Sequence, residues 1–126
     1  MSEQEKLDVP PEHCPKPEDC TFDLEEKLSG ILAVRSLMGS DAVTASHLGT
    51  EREGHGALIS DTGLVLTIGY LITEAETIWL VDASGAATPA HTVGYDQETG
   101  FGLVQALGRI DVPHLELGNS NTLKVG

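Results

Sequence analysis

Hydrophobic positions after residue 30 fall in short runs that are separated by turns centred on glycine. The runs lie in "ILAVRSLM", "AVTASHL", "HGALIS", "GLVLTI", "ETIWLVDA", "ATPAHTVGYD" and "GFGLVQAL", and "GTEREG" forms a polar connection before the third. "DTG" separates the third run from the fourth, and Gly63 can take the positive φ that a hairpin turn needs. Strand-length runs at intervals of roughly ten residues predict an all-β fold, an antiparallel sandwich or barrel.

The first 30 residues have a different pattern. Residues 1–20 are acidic and rich in proline, which predicts an extended tail, and residues 21–126 are predicted to form one domain. "TFDLEEKLSG" predicts a short amphipathic helix with Thr21 as its cap and Gly30 as its stop. Leu24 and Leu28 are four residues apart and would share one side of that helix.

Composition restricts the partners and the compartment. The chain has 126 residues and a formal net charge of -13, from 20 acidic and 7 basic residues. Such a charge repels nucleic-acid phosphates and anionic membranes, and no apolar run has the length of a membrane span, so neither partner is predicted. The N-terminus lacks the basic and apolar regions of a signal peptide. The cytoplasm is therefore the default compartment, and a periplasmic or other extracytoplasmic location is the alternative if a leader precedes this sequence.

Two cysteines lie in the tail segment "HCPKPEDC". Cys14 and Cys20 are interpreted as exposed thiols or as a local disulfide in an oxidising compartment. A metal site would add His13 and one of the nearby carboxylates. One C-x5-C spacing without a second pair falls short of the four ligands of a structural zinc site, so no cofactor is predicted.

Four segments in order resemble the first half of a trypsin-like serine protease of the HtrA/Deg type. They are "LEEKLSGILAVRS", "GHGALISDTGLVLTIGYLI", "VGYDQETGFGLVQ" and "LELGNSNTLKVG". Together they cover about four-fifths of the chain, from Leu24 to Gly126. The resemblance implies the first of two antiparallel β-barrels, each of about six strands, with the active site in the cleft between them. The second barrel, which carries the serine and the oxyanion hole, has no counterpart in this sequence.

The resemblance also implies that two catalytic positions are replaced. The family's Leu-Thr-x-x-His pattern is matched by Leu66 and Thr67, but Tyr70 stands at the histidine position. A phenol with a reference pKa of about 10 stays protonated at neutral pH and is a poor general base. The family's catalytic aspartate falls on Gly100, which has no side chain to orient an imidazole. No catalytic residue is therefore predicted in this chain.

Other residues do not form an alternative site. His47, His55 (in the "GHG" turn) and His91 are interpreted as ordinary histidines with hydrogen-bond partners. Turn serines at 60 and 84 lack the context of a nucleophile elbow. Trp79 and Tyr95 are predicted to be core or rim residues. The carboxylates of Asp96 and Glu98 are interpreted as a charged loop.

Three hypotheses on function remain open. The first is an inactive trypsin-like domain that acts by binding a protein. The second is the N-terminal half of a split or processed protease, and the third is a redox- or metal-responsive module on His13, Cys14 and Cys20. A first barrel without its second would expose an apolar face. That face predicts a protein partner, a second-barrel segment, self-association, or cover by the N-terminal tail.

Overall fold

The computed structural model describes residues 10–39, 41–42 and 49–124. Six antiparallel strands close into a barrel in the order β1-β2-β3-β6-β5-β4. The strands are β1 (Ile31–Met38), β2 (Glu51–Leu58), β3 (Leu64–Ile68), β4 (Ala75–Val81), β5 (Ala87–Tyr95) and β6 (Phe101–Ala106). The predicted all-β antiparallel barrel is confirmed, and the sandwich is ruled out because the sheet has closed on itself.

The core lies inside the barrel because alternate side chains of each strand point inward. On β1, Leu32, Val34, Ser36 and Met38 are buried while Arg35 and Leu37 are exposed. The inward side chains of the other strands and of the turn after β3 complete the cluster, with Leu58, Val65, Leu71, Ile72, Ile78, Leu80 and Val104 among its members. The hairpin from β2 to β3 forms as predicted, with Gly63 at a φ of 89°.

The second strand begins earlier than the sequence predicts. "GTEREG" was expected to be a polar connection, but Glu51–Gly54 is the first half of β2 and pairs with β1. The inward position there is filled by Arg52 instead of an aliphatic residue, which hides the strand alternation from a hydrophobic pattern. His55 likewise lies in this strand, opposite Ala33, and not in a turn. Most of the predicted "AVTASHL" strand lies outside the described residues.

The N-terminal segment also differs from its prediction. The helix α1 (Leu24–Ser29) is capped by Asp23, whose side chain accepts from the Glu26 amide at 3.1 Å, and not by Thr21. The tail, predicted to be extended, contains two 3₁₀ turns, Pro11–His13 and Pro17–Asp19. A proline begins each turn because the first position of a helix needs no N–H donor. Within the described part of the chain, the helices are all too short or too polar to cross a membrane.

Candidate functional site

The two positions predicted to correspond to the catalytic histidine and aspartate lie in two segments that contact each other. Tyr70 is in a 3₁₀ turn, Gly69–Leu71, directly after β3, and Gly100 ends the loop between β5 and β6. The two segments are joined by a backbone hydrogen bond, in which the Gly69 amide donates to the Gly100 carbonyl at 2.7 Å. β3 and β6 are antiparallel neighbours, and Ile68 pairs with Phe101 at their ends, so the barrel itself fixes this proximity.

The turn at residues 69–73 rests on buried polar side chains from β1 and β2. Arg52 is only 2% exposed, and its Nη1 donates to the carbonyls of Tyr70 at 2.8 Å and Thr73 at 3.3 Å. Ser36, its cross-strand partner, donates its hydroxyl to the Leu71 carbonyl. The Thr73 hydroxyl donates to the Gly69 carbonyl at 2.7 Å. Side-chain donors therefore satisfy carbonyls that a tight turn leaves without strand partners.

Tyr70 also contacts this support through its ring. The guanidinium carbon of Arg52 lies 5.4 Å from the ring centroid, which is within range of a cation–π contact. Tyr70 is 42% exposed, with the Arg52 guanidinium over one face of its ring. The arrangement holds an aromatic group at the barrel rim, at the position predicted to correspond to the catalytic histidine.

Gly100 completes a turn that is stabilised by its own residues. The Asp96 carboxylate accepts from the Glu98 amide at 3.1 Å and from the Thr99 hydroxyl at 2.9 Å. The Gly100 amide donates to the Asp96 carbonyl at 2.8 Å. Gly100 itself has a φ of 81°, a left-handed conformation that residues with a Cβ adopt at a cost. Turn geometry thus favours glycine at the position where the family resemblance expects an aspartate.

Tyr95 packs directly on the turn that carries Tyr70. β5 has a bulge between Thr92 and Gly94, which sets Tyr95 opposite Gly102 of β6. A Cβ on Gly69 would lie 2.0 Å from the Tyr95 ring, so only glycine permits this approach. Bulges that redirect a side chain are common beside functional sites. The sequence predicted Tyr95 to be either a core or a rim residue, and it lies at the rim.

Four exposed side chains surround the contact between Gly69 and Gly100, and we call them the rim patch. Ile68 and Tyr70 flank Gly69, Phe101 follows Gly100, and Tyr95 lies on Gly69. Their exposed fractions lie between 42% and 52%. The rim patch is therefore a set of exposed apolar and aromatic side chains at one end of the barrel, and the prediction that such a face binds a partner stays a prediction.

The other candidate residues are not gathered at the rim. His91 lies on β5 opposite Gln105, and His47 is outside the described residues. The Ser60 hydroxyl is hydrogen-bonded to the Thr62 hydroxyl at 2.7 Å, and the Ser84 hydroxyl donates to Asp82 at 2.6 Å. Both serines therefore serve their own turns.

The tail cysteines are held locally. The thiol of Cys14 donates to the Pro10 carbonyl at 3.6 Å, and that of Cys20 to the Lys16 carbonyl at 3.5 Å. His13 belongs to the first of the two 3₁₀ turns. Across residues 10–39, 41–42 and 49–124, the structure forms no group of three or more His, Cys, Asp or Glu side chains suited to a metal ion.

A groove of about 420 Å³ lies on the outer face of β1, β2 and β4. Trp79, Leu37 and the ion pair of Arg35 with Glu53 line it. Tyr70 and Gly100 are not among its lining residues. This groove was not predicted from the sequence, because strands distant in the chain form it.

The closed barrel, with the β3–β6 rim and its two adjoining turns, has the fold of a trypsin-like barrel of HtrA-type proteases. No protein-family profile matches the chain. The "Probable periplasmic serine endoprotease DegP-like" of Pseudomonas savastanoi pv. phaseolicola is 36% identical over 77 residues, which is 61% of this chain and 16% of that protein. The protein of the same name from Chlamydia pneumoniae is 30% identical over 73 residues, 58% of this chain and 15% of that protein.

Solved structures give the same fold. The "HtrA-type protease AlgW with tripeptide" matches with a TM-score of 0.66 and 19% identity, over 80% of this chain and 30% of that one. The serine endoprotease from Yersinia pestis matches with a TM-score of 0.59 and 20% identity, over 75% of this chain and 31% of that one. The predicted resemblance is confirmed, and the chain spans about a sixth of the length of its curated relatives.

Sequence reasoning missed the support beneath the turn. Ser36, Arg52 and Thr67 are the buried polar residues of the described chain, and the Thr67 hydroxyl donates to the His55 carbonyl at 2.8 Å. The sequence feature that could have revealed this support is Arg52, a charged residue at an inward-pointing position of a strand. A buried arginine needs acceptors, and carbonyls of a nearby turn can supply them.

Proposed function

We propose that this chain is a catalytically inactive HtrA-type barrel that acts by binding another protein. The observation that carries the proposal is the contact between the turn that holds Tyr70 and the loop that ends at Gly100, where the Gly69 amide donates to the Gly100 carbonyl at 2.7 Å. Two replacements in adjacent turns are harder to attribute to a shifted alignment than one. Triad members act as a unit, so the loss of two removes proton transfer from the serine.

The rim patch supports the binding half of the proposal. Tyr70 lies on the turn held by the buried donors Arg52 and Ser36, and Tyr95 and Phe101 lie at the ends of β5 and β6, so the surface is ordered before a partner arrives. Ordered aromatic side chains are the groups that contribute most to protein interfaces.

The compartment is a separate proposal: the curated relatives are described as periplasmic, which favours an extracytoplasmic location for this chain.

Incubation of the chain with an unfolded protein substrate and a serine-directed covalent probe tests the inactive assignment. We expect neither cleavage nor labelling, because the described turns provide no general base. Cleavage that persists after repurification would contradict the proposal. The split-protease hypothesis makes the opposite prediction when a second-barrel fragment of an HtrA relative is added to the same reaction.

A further inference from the structure

The rim patch concentrates aromatic residues in a chain that has few of them. The sequence contains two Phe, two Tyr and one Trp, and three of these five are Tyr70, Tyr95 and Phe101 of the rim. All three are between 42% and 52% exposed. Exposed aromatic groups gathered at one place are typical of binding surfaces, whereas isolated exposed apolar residues need no explanation.

The loop beside the rim patch is acidic. Residues 53–108, which supply β3 to β6 and their turns, contain seven acidic side chains and no lysine or arginine, although Asp61 and Asp82 lie in turns at the other end of the barrel. Asp96 and Glu98 lie in the loop that leads into Phe101, and the Asp96 amide donates to the Phe101 carbonyl at 2.9 Å. Arg52 contacts the Tyr70 ring, but its guanidinium is buried and engaged by carbonyls of the turn. It therefore offers little positive charge to a partner.

We propose that the rim patch binds a protein segment that presents apolar and basic side chains together. The inference rests on the proposed function and adds the surface and the chemistry of the partner. Apolar side chains would cover the aromatic groups, and basic side chains would pair with the acidic loop. A second copy is disfavoured because each chain carries a net charge of -13, and the acidic N-terminal tail is disfavoured for the same reason.

Three synthetic peptides of equal length separate the two components of this recognition. One alternates leucine with lysine, one leucine with glutamate and one serine with lysine. We expect the leucine–lysine peptide to bind at least about tenfold more tightly than either other peptide, as titration calorimetry would measure. Amide shifts in NMR spectra should change at residues 68–71 and 95–101. Equal affinities, or shifts confined to another face, would overturn the proposal.

Two phenylalanines provide a matched pair of variants. Phe101 in the rim and Phe22 before α1 are both 52% exposed, so substitution removes the same side chain from equally exposed sites. We expect Phe101→Ser to weaken binding of the leucine–lysine peptide by about tenfold, while Phe22→Ser leaves it unchanged. Equal effects of the two substitutions would show nonspecific attraction to an acidic protein and would overturn the proposal. Thermal unfolding checks that both variants remain folded.

A charge variant and a mass measurement complete the test. Glu98→Gln should weaken the same complex about two- to threefold at low salt, and added salt should abolish the difference.

Sedimentation should show a monomer. A dimer that Phe101→Ser dissociates would assign the patch to a second copy and overturn the basic partner. Proteolytic activity measured on the same preparations distinguishes failure of this inference from failure of the proposed function. Peptide binding can be absent while the chain remains inactive, whereas cleavage would contradict the inactive assignment itself.

Discussion

The turn at residues 69–73 and the loop at residues 96–100 meet at one hydrogen bond but are held by different means. Arg52 and Ser36, which lie 18 and 35 residues before their acceptors, support the first turn from within the barrel. The second is held by Asp96 and by the positive φ of Gly100, all within five residues. One turn therefore depends on tertiary structure, and the other on local turn chemistry.

The largest expected effect tests the tertiary support. Arg52→Met removes the donors to the Tyr70 and Thr73 carbonyls, and a buried acceptor left without a donor is costly. We expect the free energy of unfolding to fall by about 2–3 kcal/mol in urea titrations. Arg35→Met is the control, because its ion pair with Glu53 is exposed, and it should change stability by less than about 1 kcal/mol. Equal losses would contradict the distinction between the two arginines.

The contact between the two turns provides the next test. Gly69→Ala would place a methyl group against the Tyr95 ring, which must then move. We expect a loss of about 1–3 kcal/mol, measured by thermal or chemical unfolding. Gly94→Ala on the same strand as Tyr95 meets no atom within 4 Å and should be neutral within about 0.5 kcal/mol. In a double-mutant cycle, Tyr95→Ala should relieve the cost of Gly69→Ala, and strict additivity would argue against the contact.

The local turn should respond to conformation alone. A Cβ on Gly100 meets no atom within 4 Å, so the effect of a substitution reports the cost of a φ of 81°. We expect Gly100→Ala to reduce stability by about 1 kcal/mol and Gly100→Asn to reduce it by less, because asparagine tolerates the left-handed region better. Urea midpoints give both values. An alanine variant as stable as the original chain would show that the loop adopts another conformation.

The smallest effect concerns another local turn, between β4 and β5. A hydrogen bond from the Ser84 hydroxyl lowers the pKa of Asp82, and backbone amides of Ala86, Ser84 and Gly85 act in the same direction. Because the native pKa lies below the unfolded one, the stabilisation is present above the unfolded pKa and is lost as pH falls through the native pKa. Ser84→Ala should therefore lower stability slightly at neutral pH, with a difference that shrinks in acid. A difference that grows in acid would contradict this assignment.

These contrasts explain how much of the molecule could be predicted from its sequence. Apolar runs of strand length and glycines in turns are visible within a few residues of sequence, so they sufficed to predict the barrel, the helix and the turn at Gly63. The sequence predicted Thr21 as the helix cap, but Asp23 is the cap in the structure. Both residue types are good caps and the two positions are only two residues apart, so the pattern did not distinguish them. The start of β2 was missed because Arg52 fills an inward position, and its acceptors lie in a turn that only the closed barrel brings near. The rim patch likewise needs β3, β5 and β6 in place.

The resemblance contributed what periodicity alone could not. Tyr70 and Gly100 are unremarkable residues until they are aligned with a catalytic pattern. Their proximity in the folded chain agrees with that alignment, since the family's histidine and aspartate would have to be neighbours. The turn geometry adds a reason for glycine at position 100 that the sequence comparison did not contain.

A chimera measures the central claim most directly, because it supplies a second barrel. This barrel would replace the corresponding barrel of the Pseudomonas savastanoi relative, with and without Tyr70→His and Gly100→Asp, and cleavage of an unfolded protein would be measured. We predict no cleavage by the unsubstituted chimera, because loss of a triad base lowers kcat on the order of 10⁶-fold, and measurable cleavage by the doubly substituted one. Cleavage by the unsubstituted chimera, with its fold verified by circular dichroism, would contradict the account.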